Sequence, residues 1–299
     1  MRMAWNKVYR ERYVFPRLSK DTLRAVIRHE AHRVEKSYYN NVFTSKRKVY
    51  MEKARNIIFL SKIFNGKGGD LAEPDMAWAQ EIALKADSLD KNFINYNDTK
   101  HNMGGFFKSK ESQKDVIKEL FYNRRSVRIW SEVQQSEHER SKLAIRLIQC
   151  AINMPSSGNR QAVRFIIFNS SEQKDLLKGL KESHCYNAPL VIGVFSDESL
   201  YGSYGTFSKI EECLFIDAAA AASAILIAAE LEGYSTCWNH FGQDLIMSRK
   251  TNCQKFEVIK KTYSLSEHIR PIALIAIGKE KFQPPVPLRM ALEDYIYND

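Results

Sequence analysis

The sequence predicts an α+β fold, in which helices cover a sheet, preceded by an added helical region. Residues 1–115 carry apolar positions at helical spacing and no clear strand. From residue 116 onwards, helical segments alternate with short apolar runs. We therefore expect two parts, an N-terminal helical extension of residues 1–115 and a second domain of residues 116–299.

Three helices are expected in the N-terminal extension. Ser19 can cap the first, and Asp21 lies in its first turn, where the helix dipole favours negative charge. The second helix covers about residues 49–64 and stops at a glycine-rich turn. The third begins near Pro74, because proline is tolerated in a first turn, and runs to about residue 88. Residues 92–114 are polar, and we interpret them as a connecting segment that contains the domain boundary.

The second domain alternates helices and strands. Helices are expected at about residues 114–123, 143–154, 172–181, 210–231 and 253–262, and strands at about residues 164–169, 189–195, 235–238 and 271–277. Residues 201–208, with two glycines among aromatic residues and serines, are interpreted as a mobile loop. The helix of residues 210–231 is rich in alanine and has its charges near the ends. We expect a buried helix of a soluble protein and no membrane span.

The charge and the cysteines limit the class of protein. The formal net charge is +10, and residues 1–120 hold most of the excess, with 24 Lys and Arg against 15 Asp and Glu. These charges are evenly mixed and accompany no nucleic-acid-binding motif, which argues against nucleic acid as a partner. Five scattered cysteines without a C-x-x-C pair suit a reducing compartment. No signal peptide is visible, and we expect a cytoplasmic protein.

His29, His32 and Glu35 are spaced three residues apart on the first predicted helix and therefore share a face. This arrangement suggests a metal site, but the spacing is not that of the zinc-protease H-E-x-x-H motif, and no cysteine is near. We interpret the face as a solvated or partner-facing surface and assign no metal.

Residues 155–161, with the sequence PSSGNRQ, form what we call the polar loop. It lies between an amphipathic helix and an apolar strand. Proline and glycine end the helix, while Ser, Asn and Gln side chains can present donors and acceptors to a planar polar ligand. The loop is either a binding loop or an ordinary connection between a helix and a strand.

Residues 124–128, with the sequence RRSVR, form what we call the arginine segment. Three guanidinium groups and a hydroxyl can bind a phosphate or another compact anion, although a run of surface arginines has the same composition. No P-loop and no G-x-G-x-x-G motif is present, so a Walker-type site and a Rossmann site have no support. No G-x-S-x-G motif marks Ser156 or Ser157 as a nucleophile.

Together these segments resemble the FMN-dependent nitroreductase family over about residues 117–297. Members of that family begin with an R-R-S-x-R motif, carry a P-S-S-x-N-x-Q loop after the first core helix, and end with an arginine after a P-x-R motif. Here these are the arginine segment, the polar loop, and Pro287-Leu288-Arg289. Their order and spacing match the family.

The resemblance implies a fold and an activity. The fold would be a central, mostly antiparallel sheet flanked by helices, in an intertwined homodimer with FMN at the subunit interface and the helix of residues 210–231 in the dimer core. NADH or NADPH would hand a hydride to FMN, and the reduced flavin would pass electrons to a small acceptor, nitroaromatic-like or quinone-like in vitro. The chain would thus be a flavoprotein oxidoreductase.

The resemblance also implies which residues bind the cofactor. Those expected at the phosphate and the ribityl chain are Arg124, Arg125, Ser126, Arg128 and Arg289. Those expected to contact the flavin from one side, from the partner subunit, are Pro155, Ser156, Ser157, Asn159 and Gln161. Those expected near the isoalloxazine ring are Trp238, Asn239 and His240. No catalytic side chain is assigned, since a histidine beside a tryptophan is more often structural.

The sequence departs from the family in two places. Many members have an Asn and a Lys at the flavin edge before the Ala-Pro strand, whereas this chain has residues 181–185, KESHC, and the substitute is not identified. Residues 1–115 lie outside the resemblance and would cover the active site or extend the dimer. An alternative function is a flavin-binding or regulatory module without turnover, whose basic N-terminal region binds an acidic partner.

Overall fold

The computed structural model describes residues 10–39, 46–87, 111–132, 135–201, 210–285 and 289–296. The chain divides into two compact units. Unit 1 comprises Met1–Phe107, Pro155–Val163 and Ser196–Asp217, and unit 2 comprises Lys108–Met154, Arg164–Phe195 and Ala218–Asp299. The unit that holds the N-terminal helices therefore includes two short segments from later in the chain, one of which contains the polar loop. The boundary at residues 115–116 stays a prediction.

Three helices build most of unit 1, as predicted. They are α1 (Lys20–Tyr39), α2 (Arg47–Gly66) and α3 (Pro74–Asp87), preceded by short turns at Arg10–Val14 and Phe15–Arg17. The Ser19 hydroxyl accepts a hydrogen bond from the Thr22 backbone N–H at 3.1 Å and so caps α1. The three helices share one apolar core, which includes Leu23, Ile27, Ile57, Leu60, Phe64 and Met76. The predicted connecting segment of residues 92–114 lies mostly outside the described residues.

Unit 2 begins with α4 (Glu111–Asn123) and α5 (Glu137–Ala151). The sequence analysis placed the start of α5 at residue 143, which is wrong by six residues. Ser136 and Glu139 form a reciprocal capping box, in which each side chain binds the backbone N–H of the other residue. This pair of bonds starts the helix ahead of its apolar face. Arg146 of α5 then binds Glu232 through two hydrogen bonds of 2.8 and 2.9 Å.

The predicted α+β class is confirmed by a four-stranded sheet with the strand order β1-β2-β4-β3. The strands are β1 (Val163–Phe168), β2 (Leu190–Asp197), β3 (Ser235–His240) and β4 (Ile269–Gly278). Strands β3 and β4 pair antiparallel, with Ser235 opposite Gly278 and His240 opposite Ala273. Strand β2 is buried throughout and β4 is buried at nine of its ten positions, as expected for central strands with both faces covered.

Short helices complete unit 2. They are α6 (Ser171–Asp175), α7 (Ser183–Tyr186), α9 (Gln243–Met247) and α10 (Lys250–Thr262). The prediction of one helix over residues 172–181 is wrong: α6 ends at Asp175, and the chain then turns through Gly179, which has a φ of 79°. The rings of Phe195, Phe241 and Phe256 meet edge to face at 6.2 and 6.0 Å and connect β2 to α10 through the core.

The longest helix is α8 (Ile210–Leu231), which has the predicted bounds. It ends where Gly233 adopts a φ of 73°, and the Tyr234 N–H donates back to the Ala229 carbonyl at 2.8 Å. Glu212–Leu231 is long and apolar enough to cross a membrane, but 44% of the most apolar stretch is buried. A helix of this kind is weak evidence for a membrane span, since buried core helices have the same composition. Residues 202–209, interpreted from the sequence as a mobile loop, lie outside the described residues.

Candidate functional site

The polar loop of unit 1 has a backbone conformation that residues other than glycine rarely adopt. Ser157–Asn159 forms a single 3-10 turn, within which Gly158 has a φ of 62°. Asn159 and Gln161 each have a φ of 54°, in the left-handed region. That region costs a residue with a side chain about 1–2 kcal/mol, and asparagine tolerates it better than glutamine. Such strain persists where the surroundings compensate for it, and it clusters at ligand sites.

Hydrogen bonds within the polar loop fold it around Ser156. The Asn159 N–H donates to the Ser156 carbonyl at 2.8 Å, and the Gln161 N–H donates to the Ser156 hydroxyl at 3.0 Å. The Gln161 side-chain amide donates to the Asn159 side-chain oxygen at 3.1 Å. Pro155 and Gln161 are exposed, and Ser156, Ser157 and Asn159 are half-buried. The five loop residues predicted to contact a flavin therefore lie together in one compact turn.

Asp217 anchors the loop to the first turns of α8. Its carboxylate accepts hydrogen bonds from the Ser157 N–H at 2.9 Å and from the Ser157 hydroxyl at 2.8 Å. The Tyr201 hydroxyl donates to the same carboxylate at 2.8 Å. Asp217 is only 3% exposed, so these donors replace the water that a buried charge loses. Burial and the bond to Asp217 raise the pKa of Tyr201, which keeps its phenol protonated as a donor.

Arg160 holds the inner side of the loop. Its Nη1 donates to the Ser157 carbonyl at 2.8 Å, and its guanidinium lies 5.9 Å from the centre of the Tyr201 ring. Burial lowers the pKa of Arg160, although the nearby Cys213, Tyr201 and Asp217 oppose that shift. The polar loop thus contains a partly buried arginine, to which the sequence analysis gave no role.

Helix α1 contacts the other side of the loop through two consecutive residues. Arg28 Nη2 donates to the Arg160 carbonyl at 2.7 Å, and His29 Nδ1 lies 3.0 Å from the Gly158 carbonyl oxygen. A carbonyl can only accept, so Nδ1 carries the proton. Burial first, and then the charge of Arg160, lower the pKa of His29 to about 4. The imidazole is therefore neutral at neutral pH.

The face of α1 that carries His29, His32 and Glu35 was expected to be solvated or partner-facing, but it is half-buried and makes contacts within unit 1. His29 contacts Gly158, and Trp78 Nε1 of α3 donates to the Glu35 carboxylate at 3.4 Å. Next to this face, Glu30 is buried and pairs with Lys53 of α2 at 2.8 Å. Among the described residues, no group of three His, Cys, Asp or Glu side chains could hold a metal ion.

The arginine segment lies in unit 2, directly after α4. Arg125 is buried, and its Nη1 donates to the Tyr122 and Arg124 carbonyls at 2.5 and 2.9 Å, so it caps the end of α4. Arg124 is half-buried and Arg128 is exposed. The three predicted phosphate ligands thus differ in environment, since Arg125 has a structural task and Arg128 faces solvent.

The arginine segment is hydrogen-bonded to the strand that carries the predicted ring contacts. Ser126 pairs with Thr236 of β3, and the Val127 N–H donates to the Thr236 carbonyl at 2.9 Å. Side chains alternate along a strand, so Thr236, Trp238 and His240 share one face. Thr236 is fully buried, and its hydroxyl has no hydrogen-bond partner among the described residues. Ser126 and Val127 therefore fix the arginine segment to β3 at Thr236.

Two ionisable side chains, the carboxylate of Glu230 and the thiol of Cys237, lie near the arginine segment. Burial raises the pKa of Glu230, at the end of α8, and the nearby Arg124 opposes the rise. Burial likewise raises the pKa of the Cys237 thiol, against the charges of Arg128 and Arg124. Arg124 therefore lies close enough to Glu230 and Cys237 for its charge to oppose both shifts.

Asn239 faces the opposite side of β3 and is fully engaged there. Its side-chain amide donates to the Cys237 carbonyl at 3.0 Å and the Leu274 carbonyl at 3.3 Å. Its oxygen lies 2.7 Å from His184 Nε2. Because both amide protons are used, His184 Nε2 is the donor in that bond. Asn239 is thus occupied within the β3–β4 pair, where it lies opposite Leu274, and its side chain binds His184 from residues 181–185.

The remaining predicted residue, Arg289, is exposed in unit 2, whereas Pro287 and Leu288 lie outside the described residues. Sequence reasoning missed Arg28, Arg160, Asp217 and His184 as site residues. The chain offered a local signal for one of them only. Asp217 is a charge next to five consecutive alanines in an apolar helix, and a buried charge needs donors.

The architecture and these segments define a class, an α+β protein with a positively charged segment beside a sheet strand and a strained polar loop. No established family profile matches the chain. A curated protein of Archaeoglobus fulgidus, named "Putative NADH dehydrogenase/NAD(P)H nitroreductase", is 25% identical over 167 residues, covering 54% of this chain and 84% of the relative. A protein of the same name from Methanothermobacter thermautotrophicus is 28% identical over 174 residues, covering 56% and 79%. The predicted resemblance to nitroreductases is thereby confirmed.

Solved structures with a similar architecture bear related names. A "putative nitroreductase in complex with FMN" from Exiguobacterium sibiricum has a TM-score of 0.49 at 20% identity, over 61% of this chain and 97% of that one. A "putative NADH dehydrogenase/NAD(P)H nitroreductase" from Parabacteroides distasonis has a TM-score of 0.47 at 22% identity, over 62% and 98%.

Replacing Gly158 tests how closely α1 approaches the polar loop. A Cβ at Gly158 would lie 1.9 Å from His29 Nδ1 and 2.9 Å from Arg160 Nη1, so Gly158→Ala must displace the imidazole. Gly68→Ala is the matched control, because Gly68 also has a left-handed φ, 75°, but nothing lies within 4 Å of its Cβ position. Both variants incur the backbone cost of about 1 kcal/mol. We expect Gly158→Ala to lose about 2 kcal/mol more in urea unfolding, from crowding; equal losses would contradict the contact.

The low pKa of His29 predicts a pH dependence of stability. Between its folded pKa of about 4 and the usual value near 6.5, the unfolded chain binds the additional proton. The contribution of His29 to the free energy of unfolding is therefore complete above about pH 6.5 and is lost as the pH falls towards 4. We expect a loss on the order of 2 kcal/mol that is absent from His29→Asn. Urea titrations at neutral and mildly acidic pH measure it, and the same loss in both proteins would contradict the assignment.

Proposed function

We propose that the protein is an FMN-dependent oxidoreductase that passes electrons from NADH or NADPH through bound FMN to a small acceptor. The resemblance to nitroreductases supports the cofactor and the reaction class. The curated relatives carry NADH dehydrogenase and NAD(P)H nitroreductase in their names, which supports the nicotinamide donor. We further propose that it works as a cytoplasmic homodimer.

The observation that carries this proposal is the pairing of the arginine segment with β3. Ser126 and Val127 are fixed to Thr236, so Arg128 and Trp238 each lie two residues from a paired position. The pairing joins the residues expected at the phosphate to the strand expected at the ring. The five residues of strand from Thr236 to His240 span about 13 Å, which is on the scale of a mononucleotide.

The residues of this region fit a phosphorylated flavin. Arg124 and Arg128 supply guanidinium donors, which bind phosphate oxygens by charge-assisted hydrogen bonds. Ser126 adds a hydroxyl, and the unpartnered hydroxyl of Thr236 leaves a buried polar atom beside the segment. Trp238, half-buried on the same face as Thr236, offers an aromatic surface. The donor set thus suits an anionic group next to a planar ring.

The polar loop contributes fixed polar groups. Its strained turn holds Asn159 and Gln161 against each other, so their side chains are ordered before any ligand arrives. Ser157 is held by Asp217, which makes its hydroxyl a positioned acceptor for a further donor. The resemblance assigns these groups to the flavin, and their rigidity supports that assignment.

When bound, FMN supplies the redox chemistry by taking a hydride from NAD(P)H and giving electrons to the acceptor. The protein residues position the cofactor and supply positive charge. Arg124 and Arg128 favour an anionic partner, and we assign no general acid or base, since His240 is exposed and Asn239 is engaged within the protein.

A homodimer is supported by apolar side chains that face solvent on several helices. The exposed residues of α4 are Val116, Ile117, Phe121 and Tyr122, and those of α8 are Phe215, Ile216 and Leu231. Large apolar side chains that face solvent close together mark interaction surfaces. Because α8 is the helix that the resemblance assigns to the dimer core, its exposed apolar residues agree with that assignment.

Reconstitution of the full-length chain tests the proposal. Purified protein incubated with FMN and then desalted should keep the visible absorbance of a flavin. NADH or NADPH should bleach that absorbance under anaerobic conditions, and a quinone or nitroaromatic compound should restore it; free FMN at equal concentration is the control. Protein without bound flavin would contradict the cofactor, and bound flavin that neither nicotinamide reduces would favour the module without turnover. Light scattering on the same sample would contradict the dimer if the mass is that of one chain, 34.6 kDa.

A further inference from the structure

We infer that helix α1 acts as a clamp that holds the polar loop in its left-handed conformation, with Arg28 and His29 as positioning residues. This inference gives the N-terminal unit a role in the proposed cofactor site and, for the part that concerns FMN, rests on the proposed function.

The two hydrogen bonds from α1 go to the peptide groups that directly precede the two left-handed residues of the loop. Asn159 and Gln161 are its left-handed residues other than glycine. The carbonyl directly before Asn159 belongs to Gly158 and is bonded to His29, and the carbonyl directly before Gln161 belongs to Arg160 and is bonded to Arg28. The angle φ of a residue is set by the orientation of the peptide group before it. Each α1 bond therefore fixes the peptide plane that defines one strained φ.

The loop could not hold this conformation with its own bonds alone. Its internal hydrogen bonds end on Ser156, on the Ser157 carbonyl and on the Asn159 side chain, and they leave the carbonyls of Gly158 and Arg160 to outside donors. Left-handed backbone is unfavourable at both residues, because each carries a side chain. The two hydrogen bonds from α1, one of them from a charged donor, stabilise it.

Arg28 is itself held rigidly, which a clamp requires. Its Nη1 donates to Asp75 of α3 at 2.8 Å, and Arg24 donates twice more to the same carboxylate. Burial opposes ionisation of Asp75, but the bonds from Arg24 and Arg28 outweigh it and lower its pKa to about 2. The carboxylate therefore stays charged, and packing of α1 on α3 fixes the guanidinium that contacts the loop.

His29 gives the sharper test, because two amides imitate its two ring nitrogens. In His29→Asn the amide nitrogen lies one bond from Cγ, as Nδ1 does, and it can donate to the Gly158 carbonyl. In His29→Gln the amide nitrogen lies one bond further out, near the position of Nε2. His32→Ala is the control, since His32 lies one turn along α1 and makes no bond to the loop among the described residues.

The experiment measures hydrogen exchange of loop amides in full-length protein without flavin, and then FMN affinity by fluorescence titration. The informative amides are those of Asn159 and Gln161, whose bonds to Ser156 need the loop conformation. We expect His29→Ala and His29→Gln to raise exchange and weaken FMN binding about tenfold, as the loss of one such bond implies. His29→Asn and His32→Ala should resemble the unchanged protein.

Several outcomes separate this inference from its alternatives. Loop exchange unchanged in His29→Ala and His29→Gln would overturn the clamp, and so would equal effects of Asn and Gln, which would indicate packing of the ring and not a directed bond. If the unchanged protein binds no FMN while loop exchange still depends on His29 with rescue by Asn, the clamp stands and the proposed function fails. Should His29→Ala not fold, the Asn and Gln pair decides the question alone.

Discussion

The left-handed backbone of the polar loop is the constraint on which much of unit 1 depends. Two residues with side chains adopt it within three positions, and neither could do so in a solvated loop without cost. Asp217 holds one side of the turn through Ser157, and Arg28 and His29 hold the other side. The buried charges of α1 thereby have a purpose beyond helix packing. Burying Arg28 and His29 without partners would destabilise the protein. Here the carbonyls of the polar loop accept hydrogen bonds from both side chains.

In unit 2, backbone hydrogen bonds likewise hold the positively charged arginine segment in place. Residues after the arginine segment continue its pairing, since the Ser131 N–H donates to the Lys279 carbonyl and the Lys281 N–H to the Ile129 carbonyl, both at 2.9 Å. The segment is thus fixed to β3 on one side and to the chain after β4 on the other. The guanidinium of Arg125 is hydrogen-bonded to carbonyls at the end of α4. Arg124 and Arg128 are therefore the arginines of the segment best placed to bind an anion. A family motif therefore need not mean that each of its arginines has the same task.

Local signals made much of the fold predictable. The bounds of α8 follow from one apolar run and Gly233, and the start of α1 follows from Ser19. The errors also have local causes. Ser136 and Glu139 carried a capping signal that the apolar pattern outweighed, and Gly179 lies in a turn within the segment that composition favoured as a helix. The motifs were read from the sequence because they are contiguous, whereas the bonds from His29 to Gly158 and from Ser157 to Asp217 join residues 129 and 60 positions apart. No local pattern encodes such contacts, so the clamp could only be seen in the folded chain.

We propose that the arginine segment binds the phosphate of a flavin. Comparing the binding of FMN with that of riboflavin tests this proposal most directly. The two ligands share the ring and the ribityl chain and differ in the phosphate. A charge-assisted hydrogen bond contributes about 1.5–3 kcal/mol, so we predict that the full-length protein binds FMN at least about tenfold more tightly than riboflavin. Arg128→Ala should remove most of that difference, whereas Arg249→Ala, which replaces another exposed arginine of unit 2, should not. Equal affinity for both flavins, or binding of neither, would contradict the account.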